Sequence, residues 1–183
     1  PALVAHMARL VDGIDVASGG ELRVALDNGA DPREVSFAGP GKSLEDLRRA
    51  VAAGILINIE SFREVNELAA ICKETGYRAR VAVRVNPDFE LKSSGMKMGG
   101  GPKQFGVDAE QVPELLIRIG QADLDFEGFH LFAGAQNLKA EAIVEAQQKS
   151  YDLALRLAEH APGPVRTLNL GGGFGIPYFP GEQ

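Results

Sequence analysis

Apolar positions along the chain fall into short blocks that alternate between two spacings and are punctuated by glycine. Residues 14–18 form a short, mostly apolar run that stops at Gly19-Gly20. Leu22, Ala25 and Leu26 recur at helical spacing and predict a helix over 21–28, closed by Gly29. A second strand is predicted at 35–38, before Gly39-Pro40-Gly41, and a helix capped by Ser43 runs from there to Gly54. The run 55–59 is apolar except at Asn58 and reads as a buried strand. Ser61, with Glu64 three residues on, is a capping-box pattern opening a helix that reaches about Glu74 before Gly76. The cycle repeats with a β-branched strand at 80–85, a helix at 109–119, a strand at 126–132, a long helix at 139–160 and a strand at 167–170 that runs into Gly171-Gly172-Gly173. The polar, glycine-rich stretch 88–106 is too long for an ordinary connection and is a candidate functional loop.

Six strands alternating with helices define an α/β protein, and strands apolar on both faces suit a parallel sheet covered on its outside. Two architectures share this signature: an open doubly wound sheet and a closed (β/α)8 barrel. The arithmetic favours an incomplete barrel, since a full one typically needs eight strands and about 250 residues, against six strands and 183 residues here. Leu3, Met7 and Leu10 read as a helix whose preceding strand lies outside the chain. The expected fold is therefore one incomplete (β/α)8 TIM-barrel domain over 1–183, carrying strands 2 to 7. The chain opens at Pro1 rather than Met and is expected to be a piece of something longer.

Composition narrows the function classes. Apolar residues make up 45% and charged residues 24%, which excludes a disordered chain. Lys and Arg number 19 against 25 Asp and Glu, for a net charge of −6, which argues against nucleic-acid binding. No apolar run approaches the roughly 18–20 residues of a membrane span. The single cysteine, Cys72, excludes a disulfide framework and a cysteine-rich metal site. No metal is expected, because His6, His130 and His160 lie far apart.

In either architecture ligands bind at the C-terminal ends of the strands. Gly171, Gly172 and Gly173 follow the last strand and would expose consecutive backbone N–H groups, the chemistry of a phosphate cradle. A tight turn that binds nothing would carry the same glycines. The run is neither a Walker loop nor a dinucleotide fingerprint, because no Gly-Lys-Ser/Thr follows and Ile176 stands where the third fingerprint glycine belongs. Alternation places Gly128, His130, Phe132 and Gly134 on one face of their strand, so His130 either faces a ligand or is a satisfied core histidine. Arg84, at a strand end, requires an anionic or polar partner. Asp15, within a strand, requires one too, either Arg84 or a lysine outside the chain. A structural ion pair would serve both. Gly41-Lys42-Ser43 is better explained by the helix cap at Ser43 than as a phosphate loop.

Taken in order, six segments resemble the fold type III, pyridoxal-phosphate-dependent amino-acid decarboxylases: Ile14-Asp15-Val16-Ala17-Ser18-Gly19-Gly20-Glu21, Phe37-Ala38-Gly39-Pro40-Gly41-Lys42-Ser43, Arg84-Val85-Asn86-Pro87, Lys103-Gln104-Phe105-Gly106-Val107, Gly128-Phe129-His130-Leu131-Phe132-Ala133-Gly134-Ala135-Gln136 and Leu170-Gly171-Gly172-Gly173-Phe174. This family holds the ornithine, diaminopimelate and arginine decarboxylases with an alanine-racemase-like barrel. The resemblance implies pyridoxal 5'-phosphate as cofactor. It implies that Gly171, Gly172 and Gly173 hold the phosphate, that a residue of the 128–134 strand stacks on the ring, and that Arg84 and Asp15 lie around the cofactor and its lysine. The family's ring-stacking histidine falls at Phe132, so either Phe132 stacks or His130 takes a related role. Ala135 replaces a serine that contacts the phosphate in some members. The Phe-Ala-Gly-Ala-Gln-Asn version looks like a bacterial branch associated with exosortase systems, whose relatives act on carrier-protein-linked amino acids.

The resemblance also places the Schiff-base lysine just before Pro1 and a C-terminal β-domain after the barrel, so this chain by itself is expected to be inactive. The parent is expected to be a cytoplasmic homodimer that removes the carboxylate of a diamino acid or a carrier-linked amino acid. An amino-acid racemase and a catalytically dead, decarboxylase-like binding protein are the alternatives.

Overall fold

The computed structural model describes residues 1–89, 104–179 and 181, and the backbone of Met96–Lys97. The elements run α1 (Ala2–Met7), β1 (Ile14–Val16), α2 (Gly19–Asp27), β2 (Val35–Phe37), α3 (Leu44–Ala53), β3 (Leu56–Ile59), α4 (Phe62–Thr75), β4 (Arg80–Asn86), β5 (Met96–Lys97), β6 (Val107–Asp108), α5 (Val112–Gln121), β7 (Asp125–Leu131), β8 (Gly134–Ala135), α6 (Ala140–Ala158) and β9 (Thr167–Asn169). The six expected strands form one parallel sheet in the order β1-β2-β3-β4-β7-β9, with β6 continuing the edge of β4. The short strands β5 and β8 pair antiparallel beside it.

The sheet is curled. In a flat sheet β1 and β9 would stand five strand spacings apart, about 24 Å. Instead the side-chain amide of Asn169 donates to the carboxylate of Asp15 at 3.0 Å, from the last strand to the first. Only a sheet bent into part of a barrel brings those edges together, so the expected partial barrel is the observed fold.

Curling separates two faces that the sequence pattern had merged. Val81, Val83, Phe37, Ile57, Ile59 and Leu131 are fully or almost fully buried and join one core with Leu47, Leu68, Leu115 and Ile119 of the helices. The other face is mixed rather than uniformly apolar: Asp15, Ser36, Asn58 and Asn169 line a concave cavity of about 270 Å³ together with Leu56, Ala82 and Phe129. Asn58 is the one polar position within the run 55–59, and Glu60 directly follows it. Both are buried, and both are hydrogen-bonded on this inner face.

The punctuation holds with local adjustments. Gly54 and Gly76 cap α3 and α4 in the left-handed conformation. Ser43 closes a full capping box with Asp46, whose carboxyl is held below its usual range by the Ser43 side chain. Ser61 accepts from the Glu64 amide as expected, but the Glu64 carboxylate reaches to the amide of Glu60 at 2.6 Å rather than closing the box. The ammonium of Lys42, 3.0 Å away, accounts for that choice. Ser18 caps α2 two residues earlier than the apolar spacing implied. A 3-10 turn at Ala109–Gln111 precedes α5, where one continuous helix was expected. One extra residue, Glu127, bulges out of the β4–β7 register between Phe126 and Gly128. Its carboxylate clamps Arg80 with bonds of 2.6 and 3.0 Å. Gly128 then lies so close to β9 that a Cβ there would stand 1.8 Å from the Thr167 carbonyl oxygen.

Candidate functional site

The C-terminal ends of β7 and β9 are stitched together beyond their strands. The Asn137 amide donates to the Gly173 carbonyl, and the Gly175 amide to the Asn137 carbonyl, both at 2.9 Å. The Gln136 side chain accepts from the Ile176 amide at 3.2 Å. This zipper fixes 171–175 as a shaped loop. Within it the Gly171 amide is committed to the Asn169 side chain at 2.8 Å. Gly171 also backs directly onto the ring of Phe132, since a Cβ there would lie 2.4 Å from Phe132 Cδ2. Gly172 is exposed, and the amides of Gly172 and Gly173 have no acceptor among the described residues. The expected three-amide cradle is thus a pair of available amides, with Gly171 shaping the approach.

On the neighbouring strands, Arg84 of β4 pairs in register with His130 of β7, and His130 with Asn169 of β9. His130 is buried, and its Nδ1 atom has no hydrogen-bond partner. Burial and then the Arg84 charge push its pKa down from the ordinary 6.5 to about 4, so the imidazole is neutral. Arg84 packs its guanidinium 4.8 Å from the centre of the Phe105 ring and donates to Glu60 at 3.2 Å. Lys42, fully buried, donates to the Gly39 carbonyl at 2.5 Å and pairs with Glu64 at 3.0 Å and Glu60 at 3.8 Å. Burial raises the Glu64 carboxyl, and the Lys42 charge opposes that rise.

His130 makes a prediction about acid stability. Its folded pKa lies below its unfolded value, so between those values the unfolded chain holds more protons and stability is lost as the pH is lowered. The loss from about pH 6.5 to about pH 4 is at most ~3 kcal/mol for the shift from 6.5 to about 4. Denaturant titrations of the full-length protein at both ends of that interval are expected to show His130→Gln losing less stability on acidification than the wild type. Equal losses would show that His130 titrates normally.

Sequence and structure differ on partners. Asp15 does not meet Arg84. It accepts from Ser36 and from Asn169, on a concave face that leaves it exposed rather than buried. Ser36 in turn accepts from Asn58 at 3.2 Å. Arg84 pairs with Glu60 instead. Gly171, Gly172, Gly173, Phe132, His130 and Arg84 do gather at the C-terminal strand ends. Glu60 and Lys42 stand at strand ends, where position alone makes them candidates, but the sequence assigns them no role, and Glu64 is not picked out at all. A glutamate directly after a mostly apolar run, four residues before another glutamate in the first turn of the next helix, is the available signal, because a carboxylate at a buried strand end needs cations. Of the stretch 88–106, residues 90–95 and 98–103, including Lys103 of its motif, lie outside the described residues. Among the described residues no group of His, Cys, Asp and Glu could hold a metal ion.

The pair of open amides suits an anionic phosphate, with the Phe132 ring against the Gly171 backbone next to it, while His130 Nδ1 is buried without a partner on the neighbouring strand. A barrel domain with two open backbone amides after its last strand and an aromatic ring against the preceding glycine has the features of a domain that binds a phosphate-bearing cofactor. The pyridoxal binding domain of the pyridoxal-dependent decarboxylases matches residues 1–183, and the chain belongs to that family. It is 36% identical over 184 residues to the L-glutamyl-[BtrI acyl-carrier protein] decarboxylase of Niallia circulans, covering 97% of this chain and 43% of that protein. It is 35% identical over 179 residues to the diaminopimelate decarboxylase of Pseudomonas aeruginosa, covering 94% and 42%. The crystal structure of diaminopimelate decarboxylase from Helicobacter pylori complexed with L-lysine superposes with a TM-score of 0.86 at 30% identity, over 99% of this chain and 46% of that one. The chain therefore spans less than half the length of the curated relatives it matches.

Proposed function

We propose that the protein carrying this domain is a pyridoxal-phosphate-dependent carboxy-lyase that acts on an amino acid, either a diamino acid or one linked to a carrier protein. The observation that carries this reading is the Gly172-Gly173 amide pair, left without an acceptor in a loop stitched to Asn137 and following Gly171, which backs onto Phe132. Relatives that decarboxylate diaminopimelate and carrier-linked glutamate support both substrate classes. When bound, pyridoxal phosphate supplies an electron sink for the pair released as carbon dioxide leaves. The chain's own residues prepare that chemistry. The Gly172 and Gly173 amides hold the phosphate, and Gly171 brings Phe132 up against the loop as an apolar wall. His130, kept neutral by burial and by Arg84, offers its free Nδ1 to a polar ring substituent. Arg84 supplies fixed positive charge, and Asp15 supplies a carboxylate on the concave face, oriented by Ser36 and Asn169. The parent is read as a cytoplasmic homodimer, which gel filtration and cell fractionation test. No helix of the described residues is long and apolar enough to cross a membrane.

Gly172 gives a direct test, because a Cβ there meets only Phe174, at 3.7 Å. Gly172→Asp should leave the melting temperature nearly unchanged while weakening pyridoxal phosphate binding by about tenfold or more, since a carboxylate repels a phosphate held by two amides. Gly172→Ala is the control and should bind almost normally. A full-length protein that purifies colourless and takes up no added cofactor would overturn the reading. Carbon dioxide release from a panel of diamino acids and carrier-linked amino acids then separates the substrate classes, and interconversion of enantiomers without carbon dioxide would establish the racemase.

A further inference from the structure

We propose that Glu60 is the positioning residue that sets Arg84 in the site. This rests on the reading that the domain holds pyridoxal phosphate. Glu60 directly follows β3, and its side chain is 2% exposed. One carboxylate oxygen accepts from the Gly39 amide and from Arg84 Nη1, and lies 3.8 Å from the Lys42 ammonium. The other accepts from the Gly106 amide at 3.0 Å. A single buried carboxylate therefore joins the turn after β2, the end of β3, Arg84 on β4 and the approach to β6.

A carboxylate is costly to bury unless several donors and cations meet it. Two backbone amides and two cations do so here. The arrangement is also selective. Lys42 is already satisfied by Glu64 and the Gly39 carbonyl. The Phe105 ring covers the Arg84 guanidinium but, being neutral, cannot fix its direction as a charged hydrogen bond does. Glu60 thus holds the Arg84 guanidinium on the strand beside His130, and through Arg84 it sets the charge that His130 and any bound anion experience. A glutamine at this position keeps the size but has one acceptor oxygen for the donors that now share two, and no charge.

A double-mutant cycle on the full-length protein separates positioning from simple structural support. Pyridoxal phosphate dissociation constants are measured by absorbance titration for the wild type, Glu60→Gln, Arg84→Met and the double variant, with denaturation midpoints recorded alongside. Each single substitution is expected to weaken binding by about tenfold or more, and the double variant to bind no worse than Arg84→Met alone, because Glu60 acts through Arg84. Losses that multiply in the double variant, or a Glu60→Gln variant that binds normally, would overturn the proposal. If Glu60→Gln does not fold, the same cycle is run with Glu60→Asp, which keeps the charge but withdraws it from Arg84 by one methylene. A wild type that binds no cofactor defeats the proposed function itself, whereas a wild type that binds and a multiplicative cycle defeat only the role of Glu60.

Discussion

Replacing Lys42 by methionine is expected to cost the protein about 3–5 kcal/mol of stability at neutral pH, the range seen when one member of a buried ion pair is removed. The side-chain volume is nearly kept, so the loss is electrostatic rather than a cavity. Lys42 is fully buried between Glu64 and Glu60 and donates to the Gly39 carbonyl. Without it, two buried carboxylates face each other with one fewer cation. Glu64 is already pushed up by burial even with Lys42 opposing that push, so in the variant its carboxyl rises further. A carboxyl whose folded pKa exceeds its unfolded value binds more protons when folded across that interval, and stability falls as pH rises through it. The Lys42→Met deficit should therefore shrink as the pH is lowered toward the Glu64 range. It should also shrink when Glu64→Gln is added, because the second substitution removes the stranded charge. Urea denaturation of the wild type and the two variants at two pH values checks both. A Lys42→Met variant within about 1 kcal/mol of wild type at neutral pH, or one made worse by Glu64→Gln, would show that the pair is not the source of stability.

Lys42 also marks where sequence reading stops. The order of strands, the glycine-closed helices and the partial barrel were legible, because apolar periodicity and helix caps are local signals. Cap residues such as Ser43 could be named from a few neighbours. The site partners could not. Lys42 was explained away by the cap beside it, since its true partners, Glu60 and Glu64, sit on a different strand and helix. Charge alone offers Asp15 either Arg84 or a lysine outside the chain, whereas the curl of the sheet brings Asn169 to it from the far edge. The Glu127 bulge was illegible for the same reason: it is a property of the β4–β7 register and not of either strand. The glycine loop was found by position, but only three-dimensional pairing shows that the Gly171 amide is spent on Asn169 and that Gly172 and Gly173 remain. Long-range geometry, more than residue identity, decides which polar groups are satisfied and which face a ligand.

Gly173→Ala is expected to abolish the cradle where Gly172→Ala barely disturbs it, and the contrast between two adjacent glycines is the discriminating result. Gly173 has φ +79°, and a Cβ there would stand 2.5 Å from the Gly134 carbonyl oxygen. The left-handed conformation costs a non-glycine residue about 1 kcal/mol. The overlap is with backbone rather than a flexible side chain, and relieving it by moving the loop costs a further ~1–3 kcal/mol. The available movement breaks the hydrogen bond from the Asn137 amide to the Gly173 carbonyl and loosens the next one, from Gly175 to Asn137. Both available amides then shift with the loop. Pyridoxal phosphate affinity should fall by about a hundredfold, roughly the 2.7 kcal/mol worth of two charge-assisted hydrogen bonds, together with a measurable drop in denaturation midpoint. Gly172 has no positive φ and an open Cβ direction, so its alanine variant should match wild type in both readouts. If Gly173→Ala loses stability but keeps cofactor affinity, the phosphate is held elsewhere and the loop only joins β7 to β9. If the two alanine variants behave alike, the zipper to Asn137 does not orient the amides.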